Sequence, residues 1–120
     1  PFQLGSGNDS IEDAWRYQIS LLPGDTIVLA SDGLFNNLYR SGILSIINSY
    51  PISTEDTSSL AQTIAEELAA VAEEQSNNPK IWSPYAQRSY EMGITEAFAL
   101  NQLGGKPDDI TVIVGRVLKD

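Results

Sequence analysis

Two short aliphatic segments, far apart in the sequence, each carry aspartate at one end, and this arrangement constrains the fold most. Residues 26–33 read Thr-Ile-Val-Leu-Ala-Ser-Asp-Gly, so that a run of strand-forming residues ends at Asp32. Residues 106–114 read Lys-Pro-Asp-Asp-Ile-Thr-Val-Ile-Val, with Asp108 and Asp109 just before the aliphatic run. If the two strands are neighbours and buried, Asp32 and Asp108 face one another and are able to hold a hard cation.

Both aspartates also have a simpler interpretation. Asp32 would cap a turn and Asp108 would cap the start of a strand, because carboxylates are common in turns. Gly33 is predicted to let the backbone turn sharply and to bring its carbonyl close to a ligand. Asp25 and Asp109 are weaker candidates, which fit turn positions.

The composition narrows the chemistry that these acids could perform. The 120 residues include no cysteine and no histidine, which excludes thiolate catalysis, Cys-based zinc sites and a histidine general base. A metal ion would therefore be held by oxygen, with Mg²⁺, Mn²⁺ and Ca²⁺ as candidates. With 16 acidic and 7 basic residues, the net charge is −9, and no basic face for nucleic acid is predicted. No apolar run is long enough to span a membrane.

The hydrophobic pattern predicts a single α+β domain. Apolar and polar side chains alternate over residues 15–21, which is typical of a half-buried strand. The Leu-Pro-Gly-Asp turn at 22–25 follows, so residues 15–21 and 26–31 are predicted to form an antiparallel hairpin. The other predicted elements are an edge strand at 1–4, helices at about 41–50, 54–75 and 83–92, an irregular loop at 94–107 and a strand at 110–118.

The two acidic motifs together resemble the last two signature motifs of the metal-dependent Ser/Thr protein phosphatases, the PPM or type 2C family. The matching residues are 30–35, Ala-Ser-Asp-Gly-Leu-Phe, and 105–112, Gly-Lys-Pro-Asp-Asp-Ile-Thr-Val. Pro-Gly-Asp at 23–25 is also similar. Three segments resemble the branch of the family whose animal and fungal members are mitochondrial. They are residues 1–4, Lys-Pro-Asp-Asp at 106–109 and Ser-Pro-Tyr-Ala at 83–86. Mitochondrial and cytoplasmic locations are both compatible with the sequence.

The resemblance implies an αββα four-layer sandwich with two Mg²⁺ or Mn²⁺ ions at one end. The ions would bridge a water that attacks the phosphorus of phosphoserine or phosphothreonine in a phosphoprotein substrate. Asp32 matches the ligand in the family's Asp-Gly motif and Asp108 matches the ligand in its Asp-Asn motif, so both are predicted metal ligands. Gly33, Asn36 and Asp109 are predicted to lie directly behind these ligands.

The chain departs from the family pattern in two ways. The N-terminal motifs, which include a phosphate-binding Arg and an Asp-Gly-His-Gly stretch, have no match in residues 1–120. The chain is therefore predicted to be the C-terminal part of a catalytic domain, inactive without the N-terminal half of the same protein. Asn36 stands where the family has an acid linked to a third metal, which puts that site in doubt, and Asn36 also fits a simple turn residue.

The resemblance thus predicts a protein Ser/Thr phosphatase. The alternatives are a non-catalytic pseudophosphatase or interaction domain that keeps the fold, and a plain acidic binding module with aspartates in turns.

Overall fold

The two aliphatic segments form one antiparallel sheet. The computed structural model describes residues 10–50, 58–93 and 104–118. Strands β1 (Thr26–Ala30) and β2 (Val112–Arg116) pair so that Val28 lies opposite Val114 and Ala30 lies opposite Val112. The prediction that the first and last aliphatic segments are neighbours is therefore confirmed.

Among the described residues, four α-helices lie between the strands in sequence. They are α1 (Asp32–Phe35), α2 (Arg40–Asn48), α3 (Ser58–Ser76) and α4 (Pro84–Glu91), and a 3₁₀ turn at Ile11–Asp13 precedes β1. The predicted helices are confirmed as α2, α3 and α4, with ends that differ by a few residues. The one-turn helix α1, which begins at Asp32 itself, has no counterpart among the predicted elements.

Local signals explain where α4 begins and ends. The Ser83 hydroxyl accepts a hydrogen bond from the amide of Ala86 at 3.1 Å, and Pro84 occupies the first helical position. Gly93 follows the helix with a φ of 70°, a conformation that glycine adopts without steric cost. The chain therefore leaves the helix at the residue that the sequence marks.

The hydrophobic core lies between one face of the sheet and helices α1, α2 and α3. The apolar stripe of α3 packs towards β2 because its residues recur every three or four positions. The buried side chains of this core are Leu34, Leu38, Ile43, Ile64, Leu68 and Ala72, and the inward strand residues Val28, Ala30, Val112 and Val114 pack against them.

The opposite face of the sheet is exposed. Ile27, Leu29 and Ile113 retain 45%, 65% and 59% of their accessible surface. The expectation that the first aliphatic segment is buried therefore holds for one face of the strand and not for the other. One face of β1 is half-buried against the helices, and the other has no covering layer among the described residues.

The predicted hairpin does not form. The turn at 22–25 is present, with Gly24 at a φ of 96° and the Asp25 amide donating to the carbonyl of Leu22 at 2.9 Å. Within the turn, the amide of Gly24 donates to the carbonyl of Val117 and the carbonyl of Asp25 accepts from the amide of Val117, which extends the β1–β2 ladder. Residues 15–21 have no strand structure.

Some sequence predictions fall outside the described residues. These are the edge strand at 1–4, the start of the second predicted helix at 54–57 and most of the loop at 94–107. Within the described ranges, no helix combines the length and the apolar character that crossing a membrane requires.

Candidate metal centre

Ser31 joins the two acidic motifs at the edge of the sheet. Its amide donates to the carbonyl of Thr111 at 3.0 Å, and its hydroxyl donates to the carbonyl of Asp109 at 2.8 Å. The hydroxyl also accepts from the amide of Thr111 at 3.0 Å. These bonds continue the antiparallel pairing past the strand ends, so that Asp32 and Asp108 lie at the same edge.

Gly33 allows the two motifs to approach closely. A Cβ atom at this position would lie 2.4 Å from the carbonyl oxygen of Asp109 and 3.0 Å from Cγ1 of Ile110. The predicted sharp turn at Gly33 is wrong, because Gly33 is part of helix α1. The absence of a side chain is needed for a different reason, which is that the backbone at Asp109 occupies the space.

Asn37 forms a second connection between the motifs and is fully buried. Its amide nitrogen donates to the carbonyls of Gly33 and Lys106 at 2.8 and 2.9 Å, and its amide oxygen accepts from the amide of Lys106 at 2.8 Å. A single side chain therefore satisfies both backbone groups of Lys106, in the way that a neighbouring strand would. This contact fixes the segment that leads into Asp108.

We expect Asn37→Ala to destabilise the complete protein by about 1–3 kcal/mol, because the backbone groups of Gly33 and Lys106 would lose their hydrogen-bond partner in a buried side chain. Urea unfolding measures the change. The matched control is Asn48→Ala at the exposed end of α2, which should change stability by no more than about 0.5 kcal/mol. Equal stability of Asn37→Ala and wild type would contradict this role.

Asp32 and Asp108 converge on one cation, the side chain of Lys106. Its Nζ lies 2.9 Å from Oδ2 of Asp108 and 3.7 Å from Oδ2 of Asp32. The Asp32 side chain is 71% exposed and that of Asp108 is 33% exposed, so the pair stands at the surface. The ammonium also lies 5.9 Å from the ring centroid of Tyr85, which adds a cation–π contact.

The contact with Lys106 affects the ionisation of its partners. The hydrogen bond from Lys106 lowers the pKa of Asp108, and the amide of Asp109 adds to this effect by donating to Oδ1 of Asp108 at 3.0 Å. The same contact with Asp108 raises the pKa of Lys106. Both groups are therefore charged at neutral pH, as a carboxylate that binds a cation must be.

Asn36 lies beside Asp32 and contacts it directly. Its amide nitrogen donates to Oδ2 of Asp32 at 3.1 Å, and its amide oxygen accepts a hydrogen bond from Nη2 of Arg88. Asn36 therefore presents a donor to Asp32, and its oxygen faces Arg88 on α4.

The donor set fits part of the coordination shell of a hard divalent cation. Asp32 and Asp108 each have a carboxylate oxygen within 3.7 Å of one positive group. Within the described ranges, no cluster of three or more Asp, Glu, His or Cys residues is placed to hold a metal ion. Mg²⁺ takes only one or two carboxylates and retains several waters, so two aspartates suit a site that other groups complete.

Comparison with curated proteins identifies relatives over nearly the whole chain. The chain is 34% identical over 119 residues to "Probable protein phosphatase 2C BIPP2C1" of Oryza sativa subsp. japonica and 36% identical over 118 residues to "Probable protein phosphatase 2C 62" of Arabidopsis thaliana. It is 38% identical over 110 residues to "Protein phosphatase PTC7 homolog fig" of Drosophila simulans. These alignments cover 99%, 98% and 91% of this chain. No protein-family model matches the chain.

A solved structure shows the same fold. The X-ray structure of the photosystem II phosphatase PBCP superposes with a TM-score of 0.73 at 33% sequence identity, over 88% of this chain and 41% of that one. The α+β arrangement is thus that of a type 2C phosphatase, as predicted. With the sequence relatives, this match shows that the chain belongs to the type 2C protein phosphatase family. It spans 19%, 15% and 32% of the rice, Arabidopsis and fly relatives.

Sequence reasoning singled out Asp32, Asp108, Gly33, Asn36 and Asp109, and the structure brings all five into one region. Asp109 contributes its backbone carbonyl and amide to the contacts described above.

Ser31, Asn37, Arg88 and Lys106 also contribute to this region and were not predicted. Lys106 and Asn37 lie within or next to the recognised motifs, and this proximity was the available signal. Arg88 carries no local signal, because its contact with Asn36 spans 52 residues of sequence.

Proposed function

We propose that the complete protein hydrolyses phosphoserine or phosphothreonine in protein substrates and that residues 1–120 form the C-terminal part of its catalytic domain. The observation that carries the proposal is the convergence of Asp32 and Asp108, from distant parts of the sequence, on one cation. Similarity to named protein phosphatases over 91–99% of the chain supports the same reaction.

In this proposal, Asp32 and Asp108 hold the metal ions at the edge of the sheet. When bound, two Mg²⁺ or Mn²⁺ ions would supply an acidified water and stabilise the charge of the transferring phosphoryl group. The chain itself provides positioning, since Ser31 and Asn37 fix the spacing of the two motifs. Lys106 adds a positive charge beside both carboxylates, which favours the approach of an anionic phosphoryl group.

The negative charge around Asp108 favours one direction from which a phosphorylated substrate approaches the site. A cleft of about 570 Å³ lies between α3 and residues 107–110. It is lined by Glu66 and Glu73 of α3 together with Asp108 and Asp109, and such a lining repels a phosphoryl group. The substrate would therefore approach from the side of Asp32, where the carboxylate is more exposed.

The N-terminal half of the same protein is the partner that would complete the core and the site. Ile27, Leu29 and Ile113 expose one face of the sheet, and Trp15 and Tyr17 are 79% and 74% exposed in the segment that precedes it. Apolar surface of this kind is stable when another layer covers it. That layer would give residues 15–21 a sheet to join and would bring the remaining metal ligands.

A non-catalytic relative that keeps the fold is the second candidate function. Asn36 favours it, because the resemblance places an acid of a third metal site at this position. Both candidates keep Asp32 and Asp108, so these residues do not distinguish them. The measurement that does is catalytic turnover.

The test uses the complete protein with p-nitrophenyl phosphate and a phosphothreonine peptide. We expect turnover that requires Mn²⁺ or Mg²⁺ and stops in excess EDTA, and no turnover by residues 1–120 alone, which should bind Mn²⁺ only weakly. Binding of Mn²⁺ without turnover would establish the non-catalytic candidate. Turnover that persists in excess EDTA would overturn the metal-dependent reaction.

A further inference from the structure

A buried amide holds the exposed carboxylate of Asp32. Asn36 is 6% exposed, whereas the Asp32 side chain is 71% exposed. An exposed carboxylate samples several rotamers unless a contact restrains it. The hydrogen bond from Nδ2 of Asn36 to Oδ2 of Asp32, at 3.1 Å, is such a restraint.

Arg88 determines which end of the Asn36 amide faces Asp32. A guanidinium group has only donors, so the amide oxygen of Asn36 must be the atom that accepts from Nη2 of Arg88. The amide nitrogen then has to point the other way, towards Asp32. Without Arg88, the amide oxygen of Asn36 would lose this partner, and of the two described side-chain contacts only the one with Asp32 would orient the amide.

The position of Arg88 is itself fixed by α4. Nε of Arg88 donates to the carbonyl of Pro84 at 3.3 Å, and the amide of Tyr85 donates to the backbone carbonyl of Asn36 at 3.0 Å. The first turn of α4 therefore docks on the residue that holds Asp32. Both described contacts of the Asp32 carboxylate, with Asn36 and Lys106, are to Oδ2, which leaves Oδ1 for coordination.

We propose that Arg88 is a positioning residue for the metal ligand Asp32 and that it acts through Asn36. This inference rests on the proposed function, because it takes Asp32 to be a metal ligand. It adds a residue of α4, remote in sequence from both acidic motifs, to the machinery of the metal site.

The test measures Mn²⁺ affinity of the complete protein by calorimetry, together with the melting temperature. Arg88→Ala and Asn36→Ala should each weaken Mn²⁺ binding by about tenfold, which is typical when a group that orients a metal ligand is lost. The double variant should bind no more weakly than Asn36→Ala, because Arg88 has no route to Asp32 without Asn36. Arg88→Lys, which retains a cationic donor, should recover part of the affinity.

The matched control is Arg40→Ala, which removes the same charge from the exposed start of α2 and should leave Mn²⁺ affinity unchanged. Wild-type affinity in Arg88→Ala, or independent losses that add in the double variant, would overturn the inference. The Mn²⁺ affinity of Asp32→Ala shows whether only the role of Arg88 is wrong or the proposed function as well. If Asp32→Ala binds Mn²⁺ as tightly as wild type, Asp32 is not a ligand and both proposals fall.

Discussion

Replacement of Asp32 or Asp108 by alanine in the complete protein is expected to lower p-nitrophenyl phosphate turnover by more than about 100-fold. Loss of a group that only orients a metal ligand already costs roughly 10- to 100-fold in affinity or activity, and loss of the ligand itself should cost more. The structure places both residues at the same edge of the sheet, where the Oδ2 atoms of Asp32 and Asp108 lie 3.7 and 2.9 Å from the ammonium of Lys106. Steady-state kinetics at saturating Mn²⁺ measure the effect.

The control for these variants is Asp25→Ala, which removes the same charge at the opposite end of β1. Asp25 lies in the turn before the strand and accepts from the amide of Leu22 at 2.8 Å. We expect its loss to leave turnover within about twofold of wild type, because surface changes away from a site have small effects. Folding of each variant is checked by circular dichroism. Turnover near the wild-type value in either Asp32→Ala or Asp108→Ala would refute the assignment of that residue as a ligand.

The second large effect is expected for Gly33→Ala, which places a single methyl group between the two motifs. The added carbon would lie 2.4 Å from the carbonyl oxygen of Asp109, which is backbone and has no rotamer to change. The 108–110 segment must therefore move away from α1. We expect a loss of about 1–3 kcal/mol in the free energy of unfolding, as for other overpacked sites, with weaker Mn²⁺ binding.

Gly42→Ala provides a control for which the expected change in the free energy of unfolding has the opposite sign. Gly42 lies inside α2, and a Cβ atom there would meet only Cδ2 of Leu38, at 3.8 Å, an ordinary contact. Alanine in a helix interior is favoured over glycine by roughly 0.5–1 kcal/mol, so this variant should be more stable than wild type. Urea unfolding of both variants gives the comparison. A Gly33→Ala protein as stable as Gly42→Ala would show that the close approach of Asp109 is unimportant.

The family of the protein was recognisable from two short motifs, and the comparisons confirm it. The same motifs led to Asp32 and Asp108 as candidate ligands, since acids at the ends of aliphatic segments stand out in the sequence. Their role as metal ligands stays a prediction, for which the structure supplies a common edge and a shared cation.

The sequence misled at residues 15–21. Alternating apolar residues before a Pro-Gly turn favour a hairpin, but a pattern of period two specifies only a face that needs covering, not the strand that will cover it. In the described part of the chain, β1 pairs with β2 along one edge, the ladder extends to the turn through Gly24 and Val117, and residues 15–21 do not add a strand to the other edge. Partner choice depends on which surfaces are available in the folded chain, and a local pattern does not contain that information.

The sequence by itself determined the helices α2, α3 and α4, the two strands and the two acidic motifs. Helix caps, apolar periodicity and turn residues act over a few positions, so the signals lie next to the structures that they cause. Only the tertiary structure decided the contacts of Asn37 with Lys106 and of Arg88 with Asn36, and the steric reason for Gly33. Each of these joins residues more than 50 positions apart, and such contacts exist only after packing has brought distant segments together.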